Sequence, residues 1–293
     1  MTTKKLPFVS VVVPHKGPDE SLSACMESLR RQTYPCQKME ILVVLNEKTQ
    51  RPLPFELSQR EQILWQPEFY SYAARNMGIC ESSGSVIALT DSDTIPSPDW
   101  LTQGIKDLVD GVDMVAGQIV LEFNVQPLTV AACYEKLYSF DQEKNVSLGR
   151  ASTANLIVKR SLFTQIGSFR SAAESGEDFR WALKAVKSGA VLRYSEQAIV
   201  GHPAREKVKE LLSKARRVTY HFPSTTGIQM TLGEAANRYW SRYMLPPSAS
   251  KRQSCTPTQR AIAHVVAVFI QLAKLTYLLL ALVKILKLRA KTV

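Results

Sequence analysis

Three short stretches of the chain are apolar almost without interruption: FVSVVVP at 8–14, MEILVVLN at 39–46 and SVIAL at 85–89. A strand with one wet face alternates polar and apolar residues, so runs like these belong to strands covered on both faces. Helical spacing fills the gaps. In DESLSACMESLRRQT, Leu22, Met26 and Leu29 recur every three or four residues. YSYAARNMGICES (70–82) and PDWLTQGIKDLVD (98–110) read as further helices, and VDMVAGQIVLEF (112–123) as a further strand. Strands alternating with helices imply an α/β fold, a mostly parallel Rossmann-like sheet with helices on both faces. Ligands of such open sheets sit at the carboxyl ends of the strands. Pro14–His15, Asn46 and Asp91–Asp93 all stand at such ends.

The last of these is the most unusual. In ALTDSDTIPSPDW (88–100) an apolar strand runs straight into Asp91 and Asp93, with Ser92 between them. Neighbouring carboxylates repel unless water screens them or a cation lies between them. Taken alone, the pair fits either a solvated turn or a divalent-cation site. A second acidic pair, Glu177–Asp178, falls in the first turn of a helix read over 175–190, with Ser175 as its N-cap. There the positive end of the helix dipole stabilises anions, and that alone would account for both residues.

Length and charge narrow the classes. A chain of 293 residues holds one large α/β domain, or a domain of about 200 residues with an appendage. Five cysteines, widely spaced and without C-x-x-C, predict reduced thiols in a cytosolic protein rather than a disulfide framework or zinc site. The apolar run after MTTKK is too short for a signal peptide. The net charge of +11 is uneven: residues 201–293 hold 16 Lys+Arg against 3 Glu, a surplus of 13, while the first 200 residues carry a slight negative balance. An anionic partner is expected for the last third.

That last third has three parts. A Lys/Arg-rich helix spans 202–222, and an aromatic-basic stretch at 238–254 passes into a Pro/Ser linker. TPTQ (256–259) then reads as a capping box, with proline at the first helical position. The helix it opens is apolar from Ala261 to Val283, about the length of a bilayer span. Yet Arg260, His264, Gln271, Lys274, Tyr277 and Lys284 trace one seam along it. A charge at Lys274 would cost roughly 3 kcal/mol near mid-membrane, so a helix lying in the interface competes with a true span and with packing inside an oligomer.

In order along the chain, VSVVVP, CMESLRRQTYP, MEILVVLN, AARNMGI, SSGSVIALTDSDTIPSPDWL, NLIVKRSLFTQIGSF, GEDFRWALKAVKSGA and IVGH resemble family-2 glycosyltransferases of the GT-A fold. The likeness covers about residues 7–204. It implies a catalytic domain over 1–204; the residues beyond it read by themselves as a basic helix, loop and linker over 205–255 and a membrane-associating helix over 256–293. It also implies a nucleotide-diphosphate-sugar donor, Mn²⁺ or Mg²⁺, and inversion at the sugar carbon.

By position, Asp93 is similar to the direct metal ligand, with Asp91 supporting the metal or holding the ribose and His202 a further ligand. Pro14, His15, Asn46, Arg75 and Ser92 correspond to donor contacts. Asp178 corresponds to the general base, with Glu177 assisting it. His202 as a core histidine and Arg75 as a structural ion pair remain alternatives on the residues alone. One departure bears on the nucleotide. Relatives end the second strand with base-gripping aspartates, where this chain reads VVLNEK. Leu45 cannot accept a hydrogen bond from a base, and Asn46 can.

The resulting expectation is a metal-dependent inverting transferase on the cytoplasmic face of a membrane. It would use a nucleotide sugar, UDP by default with GDP or TDP open, and a membrane-associated, lipid-linked saccharide acceptor. A sugar nucleotidyltransferase would need a glycine-rich loop after the first strand, and VVVPHKGPDE offers only Gly17. A non-catalytic membrane adaptor keeping the sheet is the other competitor. Nucleic acid is not an expected partner, since the basic tail matches no binding fold.

Overall fold

A computed structural model describes residues 6–49, 51–68, 70–108, 111–220 and 246–289. The aromatic-basic residues at 238–245 and the Lys284 side chain lie outside the described residues. The chain divides into two compact units, Met1–Val120 with Gln142–Pro203, and Leu121–Asp141 with Ala204–Val293.

An eight-stranded sheet organises the first unit. Its strands are β1 (Val9–His15), β2 (Met39–Leu45), β3 (Glu61–Trp65), β4 (Val86–Thr90), β5 (Ile95–Pro96), β6 (Met114–Glu122), β7 (Asn155–Lys159) and β8 (Leu192–Pro203), in the order β3-β2-β1-β4-β7-β6-β8-β5. The β3-β2-β1-β4 half is parallel, as the apolar runs predict. The β4-β7, β7-β6 and β8-β5 pairings are antiparallel, so the sheet as a whole is mixed. A run buried on both faces looks the same in either direction, which is why the reversal left no trace in the sequence.

Helices α1 (Asp19–Arg30), α2 (Ser71–Glu81), α3 (Trp100–Asp107), α5 (Gln142–Ser147), α6 (Arg160–Ile166) and α7 (Glu177–Lys187) complete this unit. The alternation of β1 shows both faces at work. Val9, Val11 and Val13 pack with Leu22, Met26 and Leu29 of α1 and with Trp100. Val12 packs with Tyr72 and Ala74 of α2 and with Phe163 and Trp181. α2 approaches the sheet closely through Gly78, where a Cβ would lie 2.5 Å from Val12 Cγ1 and 3.1 Å from Val44 Cγ2.

In the second unit are α4 (Val130–Tyr138), α8 (Val208–Tyr220), α9 (Ala249–Gln253) and α10 (Pro257–Arg289). The capping box at α10 forms as read: Gln259 N–H donates to Thr256 Oγ1 at 3.2 Å, and Thr256 N–H to Gln259 Oε1 at 3.1 Å. α10 packs on α4 and α8 through Ala263, Ala267, Ile270 and Leu278. Of the polar seam, Gln271 is buried and Arg260, Lys274 and Tyr277 are half-buried, whereas His264 is exposed. Val265, Phe269, Leu272, Leu280 and Val283 are exposed. The helix is therefore turned with much of its polar content against protein and apolar side chains outward. Pro257–Val283 is long and apolar enough, by length and composition, to cross a membrane. Beneath it Glu135 is fully buried, held by Ser139 Oγ at 2.6 Å, Arg205 at 3.2 Å and Lys214 at 3.6 Å. Burial pushes the Lys214 ammonium down to about 8 despite that carboxylate. All five cysteines are free thiols.

Candidate active site

The three neighbouring parallel strands β2, β1 and β4 deliver the predicted residues to one edge of the sheet. β1 ends at His15, paired with Leu45 at the end of β2, and β4 stops at Thr90, one residue before Asp91. The turn that follows is pinned from within, since Thr94 Oγ1 donates to the Asp91 carbonyl at 2.7 Å. β5 pairs Ile95 with Gly201 of β8, and this register brings His202 beside the acidic pair.

Asp91, Asp93 and His202 form one group whose candidate ligand atoms all lie within 4.8 Å of one another. His202 Nε2 stands 3.8 Å from Asp93 Oδ1, and its Nδ1 bonds the Pro203 carbonyl at 2.9 Å. A carbonyl can only accept, so Nδ1 carries the proton and Nε2 is the nitrogen that could ligate a metal. The Asp93 side chain is 47% exposed and Asp91 30%. Two carboxylates and one imidazole at this spacing suit a divalent cation such as Mn²⁺ or Mg²⁺ and fit the group the sequence implies. Arg75, buried on α2, donates through Nη2 to Asp91 Oδ1 and so forms an ion pair with one member of this group.

On the other side of the D-S-D turn, His15 is fully buried and bridges two elements. Its Nδ1 lies 3.0 Å from Ser92 Oγ and its Nε2 3.1 Å from Asp19 Oδ1. Asp19 in turn takes Arg51 at 2.6 and 2.8 Å, and Arg51 takes both oxygens of Glu47 at 2.9 and 3.0 Å. The Arg51 guanidinium holds the Asp19 and Glu47 carboxyls below their ordinary range. Asn46 is buried, with its amide nitrogen on the carbonyls of Gln66 (3.3 Å) and Glu68, so Oδ1 is what it offers a base. Pro14 lies within β1, opposite Val44.

The second acidic pair separates into two roles. Glu177 is 2% exposed and accepts from Arg180 Nε and Nη2, both at 2.7 Å, and from the Arg170 N–H at 3.0 Å. Asp178 Oδ1 accepts from the Tyr72 hydroxyl at 2.9 Å and the Phe179 N–H at 3.0 Å, and Oδ2 accepts from the Thr153 N–H at 3.3 Å. Burial raises the Asp178 carboxyl above its usual value, and these donors and the Arg75 charge only partly counter it. Ser175 does not cap this helix. The N-cap is Gly176, at φ 75°, a left-handed conformation that glycine adopts without strain and serine does not.

The two acidic clusters are connected through α2. Arg75 pairs with Asp91, its guanidinium carbon lies 5.4 Å from the Tyr72 ring centroid, and Tyr72 holds Asp178. Asn76, next to Arg75, bonds both backbone groups of Phe169 and so pins the segment leading to α7. Sequence reasoning missed Tyr72, Asn76, Asp19 and Arg51. The available signal was spacing, since Tyr72, Arg75 and Asn76 sit at i, i+3 and i+4 on one helix face.

Residues 10–167 match the family model for glycosyl transferase family 2. A glycosyltransferase of Haloferax volcanii, AglE, is 33% identical over 224 residues, covering 74% of this chain and 73% of its own. The pre-mycofactocin glycosyltransferase of Mycobacterium tuberculosis is 28% identical over 151 residues, 48% of this chain and 32% of that protein. Among solved structures, the mannosyltransferase PcManGT of Pyrobaculum calidifontis, in complex with GDP-Man and Mn²⁺, is similar in fold. Its TM-score is 0.57 at 17% identity, over 95% of this chain and 86% of that one. The family match spans over half of the chain, and with AglE alongside it the conclusion is direct: this protein is a glycosyltransferase and belongs to glycosyl transferase family 2.

Proposed function

We propose that the enzyme transfers a hexosyl group, with inversion, from a nucleoside-diphosphate sugar to a hydroxyl of a membrane-associated saccharide acceptor. One observation carries this reading: α2 joins an Asp91/Asp93/His202 group to the half-buried Asp178, whose carboxyl is raised by desolvation. A single displacement needs both ends. The acceptor oxygen forms its bond to the anomeric carbon and gives its proton to Asp178, while the bond from that carbon to the diphosphate oxygen breaks with its electron pair leaving on the diphosphate.

A raised carboxyl is a better proton acceptor than an ordinary aspartate, provided it is ionised when the acceptor arrives. Asp91, Asp93 and His202 would hold a divalent cation, which when bound neutralises charge developing on the departing diphosphate. Arg75 orients Asp91. Pro14, His15, Asn46 and Ser92 line the donor side, with a UDP-sugar as the proposed donor. Glu177 acts at one remove, fixing the start of α7 through Arg180 and Arg170.

The acceptor is proposed to be lipid-linked and the enzyme to sit on the cytoplasmic face of a membrane, with residues 1–204 catalytic and 205–293 the attachment. The outward apolar side chains of α10 and the surplus of 13 positive charges after residue 200 support this. The deciding experiment pairs Asp178→Asn with the wild type. Transfer should collapse while UDP-sugar binding, followed by thermal shift against GDP- and TDP-sugars, stays intact. Transfer near the wild-type rate would put the base elsewhere.

A further inference from the structure

Tyr72 is used nowhere in the chemistry above, yet its hydroxyl hydrogen-bonds the proposed base. It is 5% exposed and packs on Phe169, with ring centroids 5.7 Å apart. Its hydroxyl crosses 106 positions of sequence to reach Asp178 Oδ1 at 2.9 Å. The two oxygens of Asp178 are therefore unlike. Oδ1 is held from two sides, by Tyr72 and the Phe179 N–H, and Oδ2 by one longer bond from Thr153. Resting on the reading of Asp178 as the base, we propose that Tyr72 is a positioning residue: its hydroxyl locks the carboxylate so that Oδ2 is the oxygen that takes the acceptor's proton.

The physical case has three parts. A phenol donating to a carboxylate makes a charge-assisted bond, which favours the anion that burial opposes. It also stops rotation of the carboxyl, so the proton acceptor is oriented before the acceptor sugar arrives. Arg75 beside the Tyr72 ring adds positive potential to the same pair. The groups facing Asp178 are Tyr72 and Arg75 from α2, the Thr153 N–H from the segment before β7 and the Phe179 N–H of its own helix. Glu177 next door is occupied by Arg180 and Arg170. Burial and the Asp178 charge push the Tyr72 phenol well above its usual value, so it keeps its proton and donates it to the carboxylate, while its oxygen accepts from the Asp178 N–H at 3.4 Å.

Tyr72→Phe tests this with the ring and its packing retained. The acid limb of the kcat/KM profile for the acceptor should move up by about one pH unit, because the ionised carboxylate has lost a donor. Loss of rate should be about tenfold below that limb and shrink toward alkaline pH, with the donor Kd unchanged and the Tm lowered at neutral pH but converging on wild type in acid. A carbon-13 titration of the Asp178 carboxyl, assigned by its absence in Asp178→Asn, should show the same upward shift without any turnover. An acid limb and a carboxyl titration both unmoved in Tyr72→Phe would overturn the proposal. Asp178→Asn transferring at the wild-type rate is a separate result and would remove the base assignment itself.

Discussion

Asp93 and Asp178 are both aspartates in one unit, and their surroundings set them to opposite tasks. Asp93 is about half exposed beside His202, open to a cation from solvent. Asp93→Ala should therefore leave the melting temperature near wild type and lower transfer about 100-fold or more, not recovered by added Mn²⁺. Wild-type activity persisting in a chelator would contradict the metal assignment. Asp178 is the reverse case, its carboxyl raised by burial. The folded pKa lies above the unfolded one, so the ionised side chain opposes folding fully above the folded pKa, and the opposition fades as pH falls through it. Asp178→Asn is expected to melt no lower than wild type at neutral pH, with any advantage vanishing in acid, while activity is lost. Both aspartates could be picked out in the sequence because one ends an apolar strand and the other opens a helix. For Tyr72 the spacing with Arg75 and Asn76 marks a shared helix face but not its partner, which lies 106 positions away and is met only in the folded chain.

The helix α2 does most of the organising. Tyr72 reaches the proposed base, Arg75 the acidic pair and Asn76 the segment ahead of α7. Its far end is clamped by Arg160, whose guanidinium donates to the carbonyls of Ile79 at 3.0 Å and Ser82 at 2.7 Å, groups the helix itself leaves unpaired. Because α2 rests on the sheet at Gly78, Gly78→Val should push it off Val12 and Val44. Overpacking of this kind costs about 1–3 kcal/mol, read as a lower urea midpoint, and kcat should fall with it as Tyr72 and Arg75 shift together. Unchanged kcat in a destabilised variant would mean that α2 placement does not govern the site. Elements buried on both faces, β1, β2 and β4, stood out in the sequence. β3 did not: EQILW is five residues, half-exposed and begins with a glutamate. Two-residue β5 carries no periodic signal at all, yet it sets the register that brings in His202.

Taken as a whole, the molecule combines a near-neutral catalytic portion with a strongly basic final third that ends in the apolar α10. The seam of polar residues reads in the sequence as a face for lipid headgroups. In the folded unit Gln271 is buried and Arg260, Lys274 and Tyr277 are half-buried on the helix that packs on α4 and α8, while His264 is exposed. Removing residues 256–293 should shift the protein from vesicles of anionic lipid to the soluble fraction, and in the full chain added salt should weaken binding only partly. Partition unaffected by the deletion would contradict the role given to α10. The outward side chains Val265, Phe269, Leu272 and Leu280 also bear on kinetics. An enzyme resting on lipid by that side meets its acceptor by lateral diffusion, so its rate should track the acceptor's mole fraction in the bilayer. Diluting the acceptor with inert phospholipid would slow turnover even at constant bulk concentration, whereas diluting the whole suspension would not.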